Sequence, residues 1–252
     1  MKNYKMSFIG AVCLFSIALI SCKKTEQQIT TSSLTVVNGI MDVNRMVPNF
    51  SGTTPIKYYS GSIPLMYGAF ADNCKFSIEK TEQPLGIFKY PDTLPSSKPL
   101  FNLMLHLKPG SINSLFLVGT AAKPDTMMVT TIPPYHNDRD STFGVRFANL
   151  SYLSKPVSIY LLSESSRKEI DGLPYKGISG YKNYYAGLET GNYTFEFRDK
   201  ETQALLATAV IDGVGEGTGN LRRYRNFTIA LKGLPGVTSG DQKQDAFLIN
   251  DY

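Results

Sequence analysis

Apolar residues recur at every second position along most of this chain, and that period most constrains what it can fold into. Phe101, Leu103, Leu105 and Leu107 alternate with Asn102, Met104, His106 and Lys108. Tyr193, Phe195 and Phe197 alternate with Thr194, Glu196 and Arg198, and Phe227, Ile229 and Leu231 with Asn226, Thr228 and Ala230. Val145 and Phe147 flank Arg146, while Val157, Ile159 and Leu161 share one face. Successive side chains of an extended backbone point to opposite faces, so such runs place one face in a core and the other in water. Turn formers separate the runs at Pro109-Gly110, Asp171-Gly172, Thr190-Gly191-Asn192, Asp212-Gly213 and Leu234-Pro235-Gly236. Short antiparallel strands at this spacing predict an all-β sandwich fold.

The pattern occurs twice. Leu34-Thr35-Val36-Val37-Asn38 opens one half and Val145-Arg146-Phe147-Ala148-Asn149 the other. Tyr59-Ser60-Gly61 matches Tyr175-Lys176-Gly177, and the apolar run 114–119 matches 226–233. The expected layout is two tandem sandwich repeats, 33–132 and 143–252, joined by a linker at 133–142 rich in proline and charge. About 100 residues suffice for each repeat to bury a modest core.

The first residues do not follow the period. Lys2 and Lys5 precede a nearly unbroken apolar run over 7–20, which is shorter than the roughly 20 residues of a transmembrane helix. Leu19-Ile20-Ser21-Cys22 resembles the lipobox of bacterial lipoproteins, with cleavage before Cys22 and lipid on its sulfur. The resemblance implies a signal peptide over 1–21 and a polar tether over 22–32, and the Ser-Cys-Lys-Lys sequence is similar to leaders of Bacteroidetes-type outer-membrane lipoproteins. The expected location is the cell envelope, lipid-anchored at the outer membrane. Of the three cysteines, Cys13 leaves with the signal and Cys22 is lipidated, so Cys74 is left as a buried small hydrophobe rather than half of a disulfide. The net charge of +5 loses Lys2 and Lys5 on cleavage, too mild a balance to argue for nucleic acid.

The openings Val36-Val37-Asn38 and Arg146-Phe147-Ala148-Asn149, the following Val157-Ser158-Ile159-Tyr160, the turn-strand over 188–195 and the late strand over 227–233 resemble the domain of unknown function 4397 family. That family comprises exported bacterial proteins with immunoglobulin-like repeats. The chain departs from the family's usual His-Ala-Ser-Pro-like opening, since Asn149 is followed by Leu150-Ser151. The resemblance implies a fold and an export route, and transfers no catalytic residue.

Four groups of residues are candidates for chemistry. His136, Asp138 and Asp140 alternate, and an imidazole with two carboxylates on one side of an extended segment could hold a divalent metal, the basis of a remote metal-dependent hydrolase reading. The competing reading is a polar linker. His106, the other histidine, falls among outward positions, and no Gly-x-Ser-x-Gly elbow accompanies either one. The glycines at 213, 215, 217 and 219 lack the spacing of a phosphate loop and read as a hairpin loop. Tyr181, Tyr184 and Tyr185 in one loop, with Arg222, Arg223 and Arg225 in a later one, are side chains favoured at binding surfaces, and would form a ligand-binding patch if the two loops meet. Asp92-Thr93-Leu94, Asp125-Thr126-Met127 and Asp140-Ser141-Thr142 are similar to Bacteroidetes O-glycosylation acceptors. Together these point to a non-enzymatic envelope protein without cofactor that binds a protein or glycan ligand. The alternative is a structural, adhesin-like fimbrial subunit that pairs by its strand edges.

Overall fold

A computed structural model describes residues 30–52, 63–92, 94, 96–162, 166–215, 217 and 220–251. Among these are sixteen strands and one three-residue 3-10 turn, Asp72–Cys74. The first repeat holds β1 (Ser32–Asn38), β2 (Arg45–Asn49), β3 (Leu65–Met66), β4 (Lys75–Ile78), β5 (Glu82–Lys89), β6 (Phe101–His106), β7 (Ile112–Gly119) and β8 (Pro124–Thr130). The second holds β9 (Thr142–Asn149), β10 (Val157–Leu162), β11 (Arg167–Leu173), β12 (Lys182–Tyr185), β13 (Tyr193–Asp199), β14 (Leu205–Ile211), β15 (Asn226–Lys232) and β16 (Asp245–Asn250). The sheets run β4-β1-β7-β8 with β3-β2-β5-β6, and β12-β9-β15-β16 with β11-β10-β13-β14. The two orders are the same topology, so the chain is two tandem immunoglobulin-like sandwiches.

Pairing departs from the antiparallel expectation at one place in each repeat. β1 runs parallel to β7, Ser33 opposite Ile112, and β9 runs parallel to β15, Gly144 opposite Asn226. Alternation reports which face a side chain takes and carries no information on strand direction, which is why the sequence missed this.

Inward-facing positions fill two separate cores. Leu34, Val36, Leu115 and Leu117 meet Met46, Leu85 and Ile87 in the first. Phe143, Val145 and Phe147 meet Phe195 and Phe197 in the second, where the Phe147 ring lies 5.2 Å from Phe195 and 6.2 Å from Phe197 in edge-on contacts. Truncating such a fully buried phenylalanine costs about 3–5 kcal/mol. Cys74 is a free thiol buried in the first core, its pKa pushed up chiefly by that burial.

Equivalent hydrogen bonds tie the repeats together as copies. At the end of β1, Asn38 Nδ2 donates to the Leu65 carbonyl and its Oδ1 accepts from the Ile40 amide. At the end of β9, Asn149 Nδ2 donates to the Leu173 carbonyl and its Oδ1 accepts from the Ser151 amide. The Gly68 amide donates to the Asn38 carbonyl as the Lys176 amide does to Asn149. Tyr67-Gly68 is therefore the counterpart of Tyr175-Lys176, and Tyr59-Ser60-Gly61, the pairing expected from sequence, lies outside the described residues. Gly119, the last residue of β7, and Gly233, the residue after β15, lie at φ +89° and +97°, where an added Cβ would lie 2.3 Å from the Lys123 carbonyl oxygen and 2.4 Å from that of Lys243. Only glycine adopts that backbone against so close a neighbour.

The repeats also pack against each other. Val37, Phe116 and Val118, on the outer face of one sheet, form a third apolar cluster with Ala148, Leu150, Ala230 and Ile249 of the other repeat. The four sheets thus stack in layers, with β4-β1-β7-β8 and β12-β9-β15-β16 in the middle. The Tyr67 hydroxyl lies by the backbone of Gly233, and the Tyr175 hydroxyl by that of Gly119, so the seam has an approximate two-fold character. The segment expected as the linker, 133–142, lies against the second sandwich: Asn226 Nδ2 donates to the Pro134 carbonyl at 2.9 Å, and His136 is 6% exposed.

Candidate functional site

Three segments gather at one end of the second sandwich: the lead into β9, the β12–β13 loop and the β14–β15 loop. Their backbones are tied to each other. The Ala186 amide donates to the Ser141 carbonyl, the Tyr224 amide to the Thr142 carbonyl and the Glu189 amide to the Gly215 carbonyl. Asn220 Oδ1 accepts from the amides of Arg222 and Arg223, and its amide group donates to the Val214 carbonyl. Between the loops lies a polar groove of about 420 Å³ lined by Asn192, Asp212, Gly213, Leu221 and Arg222. Arg222 Nη2 donates to Asp212 Oδ1 at 2.8 Å and holds that carboxyl below its ordinary value. Tyr185, Leu188 and Leu221 stand on this end 58%, 66% and 65% exposed. Tyr185 folds over Gly187, where a Cβ would meet its hydroxyl at 2.1 Å, so the glycine sets the ring's position.

The structure divides the residues singled out by sequence. Tyr185, Arg222 and Arg223 belong to this loop end, with Arg223 Nε donating to the Ala186 carbonyl at 2.8 Å. Tyr184 does not belong to any surface: it is 4% exposed and packs on Phe143, Tyr193 and Phe195. Lys182–Tyr185 is an edge strand rather than a loop, so consecutive tyrosines point to opposite faces. Tyr181 lies at the seam. Arg225 is exposed on the side toward the first repeat, where Lys75 is drawn below its ordinary value by burial first, with Asp72 and Asp251 opposing and Arg225 adding.

The metal reading is corrected. His136 Nδ1 pairs with Thr142 Oγ1 and Nε2 with Asn226 Oδ1, each at 3.0 Å, while Asp138 and Asp140 are exposed. Both ring nitrogens are committed, and among the described residues no three His, Cys, Asp or Glu side chains converge to hold a metal. The hydrolase reading loses its histidine with them. His106 is a surface residue 3.9 Å from Glu82. Thr126 is half-buried on β8 and Ser141 half-buried at the head of β9, while Thr93, like Cys22, lies outside the described residues.

One constellation gave no sign of itself in the sequence. Arg146 and Asp251 are each 3% exposed, with Nη2 to Oδ1 at 3.4 Å. Arg146 Nε donates to Thr228 Oγ1 at 2.7 Å, and Nη2 reaches Ser114 Oγ of the first repeat at 3.1 Å. Asp251 Oδ2 accepts from Thr228 Oγ1 at 2.6 Å and from the Tyr181 hydroxyl at 2.7 Å, and the Tyr181 ring lies 4.8 Å from the guanidinium. Burial raises the Asp251 pKa, and Arg146 opposes it. This is a locking network inside the seam.

No protein-family model matches the chain, and no curated protein matches it. Among solved structures it is similar to an alpha-glucan-binding streptococcal virulence factor, at 11% identity over 81% of this chain and 93% of that one, TM-score 0.26. It is also similar to family 41 carbohydrate-binding modules from streptococcal virulence factors, at 10% identity over 86% and 96%, TM-score 0.25. A third is a candidate adhesin from Bacteroides ovatus, at 12% identity over 82% and 89%, TM-score 0.22.

Proposed function

We propose that this chain is a non-enzymatic binding protein of the cell envelope, anchored by lipid on Cys22, and that the loop end of its second sandwich is the contact surface. The observation that carries the reading is the combination of exposed Tyr185, Leu188 and Leu221 with loop backbones already fixed by hydrogen bonds. A rigid loop loses little conformational entropy on binding, and exposed aromatic and apolar side chains beside an arginine supply the area that a partner covers. The ligand class is a glycan or a protein. A glycan array and linear α-glucan, the class named for two of the similar structures, serve as probes alongside solubilised envelope protein. Tyr185→Ala and Leu221→Asp are expected to abolish capture while leaving the melting temperature within a few degrees. Undiminished capture by both variants, or none by the parent chain with any probe, refutes the site. Cys22→Ser is expected to move the protein from the membrane to the soluble fraction, and a variant that stays with the membrane refutes the anchor.

One observation favours assembly as a second reading. β14 is an edge strand without an ionisable side chain, and Leu205 and Val210 on it are 52% and 53% exposed. Edges are usually guarded by charge or proline, and an unguarded one can accept another strand. Val210→Lys is expected to dissolve any higher oligomer. A parent chain that is monomeric at all concentrations counts against this reading.

A further inference from the structure

The seam between the repeats has two crevices related by its approximate two-fold, and they differ. On one side Lys176 Nζ bridges to Asp125 Oδ2 at 2.6 Å, and Tyr152 meets Tyr175 edge-on at 6.0 Å. That side is bridged by side chains from both repeats. On the other side the position of Lys176 is taken by Gly68, which has no side chain to reach across. What remains is a crevice of about 430 Å³ bordered by Asn44, Arg45, Met66, Tyr67, Lys232 and Asp241.

The open side is also where charge has been added. Lys232 takes the place held by Val118 in the first repeat, each preceding the glycine that ends its strand. Arg45 takes the place of Pro156, since the Tyr90 amide donates to the Arg45 carbonyl as the Lys200 amide does to Pro156. Lys232 lies flat over Gly68: a Cβ there would stand 2.0 Å from the Lys232 Cδ. Its ammonium is held 5.1 Å from the Tyr67 ring, and the Arg45 guanidinium 5.0 Å from the Tyr90 ring. Aromatic faces orient both cations without neutralising them. Among the described residues neither cation has a carboxylate within ion-pair distance. The Tyr67 hydroxyl is buried by Gly233 without a hydrogen bond of standard geometry.

We propose that this crevice binds the oxyanion of a small polar ligand, the chemistry of a carboxylate- or sulfate-bearing sugar. Arg45 and Lys232 would hold the anion, which accepts charge-assisted hydrogen bonds from both. The Asn44 carboxamide adds a neutral donor, and the Asp241 carboxylate accepts from sugar hydroxyls.

The test is an amide-resonance titration of the mature chain with glucuronate, inorganic sulfate and neutral glucose. Glucuronate is expected to shift the amides of Asn44, Tyr67 and Ala69 saturably while glucose leaves them unmoved. Sulfate matching glucuronate supports the anion site and shows that the sugar ring adds nothing. Arg45→Ala, at an exposed position, is expected to weaken binding about tenfold, the loss of one charge-assisted contact. Absence of saturable shifts at those amides overturns the proposal, as does equal response to glucose or unchanged affinity in folded Arg45→Ala and Lys232→Ala.

Discussion

Removing Arg146 tests whether the two sandwiches are held by charge as well as by apolar contact. Arg146→Ala deletes three hydrogen bonds and, among the described residues, leaves the Asp251 carboxylate with Thr228 and Tyr181 as its side-chain donors in a site 3% exposed. Stripping one partner from a buried pair costs about 3–5 kcal/mol, because the other charge stays desolvated. The carboxyl can escape by taking up a proton, which makes the loss depend on pH. Burial already raises the Asp251 pKa above its ordinary 3.8, and Arg146 opposes that rise. Without Arg146 the folded value climbs further. A carboxyl with a raised folded pKa costs more stability as pH rises through the window above 3.8, so the variant loses more at about pH 7.5 than at about pH 5. Urea unfolding at the two pH values measures this directly. Arg146→Met with Asp251→Asn is expected to recover most of the loss, since no charge is left buried. A loss under about 1 kcal/mol at about pH 7.5, or an equal loss at both, refutes the reasoning.

Three further outcomes are expected. Gly119→Ala and Gly233→Ala each force a Cβ against a carbonyl oxygen at positive φ, costing about 1–3 kcal/mol by thermal melting. The Glu169 side chain is 3% exposed, and although burial pushes its pKa up, hydrogen bonds from Arg167 and Lys182 bring it below 4.5; the stability it contributes is full above 4.5 and is lost as pH falls through the folded value. A carbon-detected titration in Lys182→Ala should find that carboxyl moved up, and an unmoved value contradicts the assignment. Cys74 should resist a thiol reagent at neutral pH until denaturant is added, because it is buried and its pKa raised.

Strand-level structure was legible because each run is amphipathic on its own. Phe195 and Phe197, or Ile229 and Leu231, report their core face without help from the rest of the chain. The repeat was legible at Asn38 and Asn149, where an asparagine at a strand end performs the same local hydrogen bonding twice. The same logic failed at the seam. Arg146, between Val145 and Phe147, falls on the face that alternation assigns to water, and that face is covered by the other repeat. Burial by a distant layer leaves no mark on a local period. Tyr184 and Tyr185 misled for a related reason, since residue type marks both as interface candidates and only the strand decides which turns inward. The crevice at Arg45 and Lys232 joins residues far apart in sequence, and only the pairing of the repeats brings them together.

The parallel pairing of β1 with β7 has a consequence for how the protein comes into being. Ser33 can pair with Ser77 of β4 on one side, but its parallel partner Ile112 comes much later, so one side of this inner strand stays open while nearly the whole repeat is made. The second repeats this delay between Gly144 and Asn226. Contacts so distant in sequence form slowly. Once the first sandwich closes, Val37, Phe116 and Val118 remain bare until the second arrives to cover them. A half-finished molecule therefore carries an adhesive flank, and the shortest piece of this chain that can safely stand alone is the pair of sandwiches rather than either one.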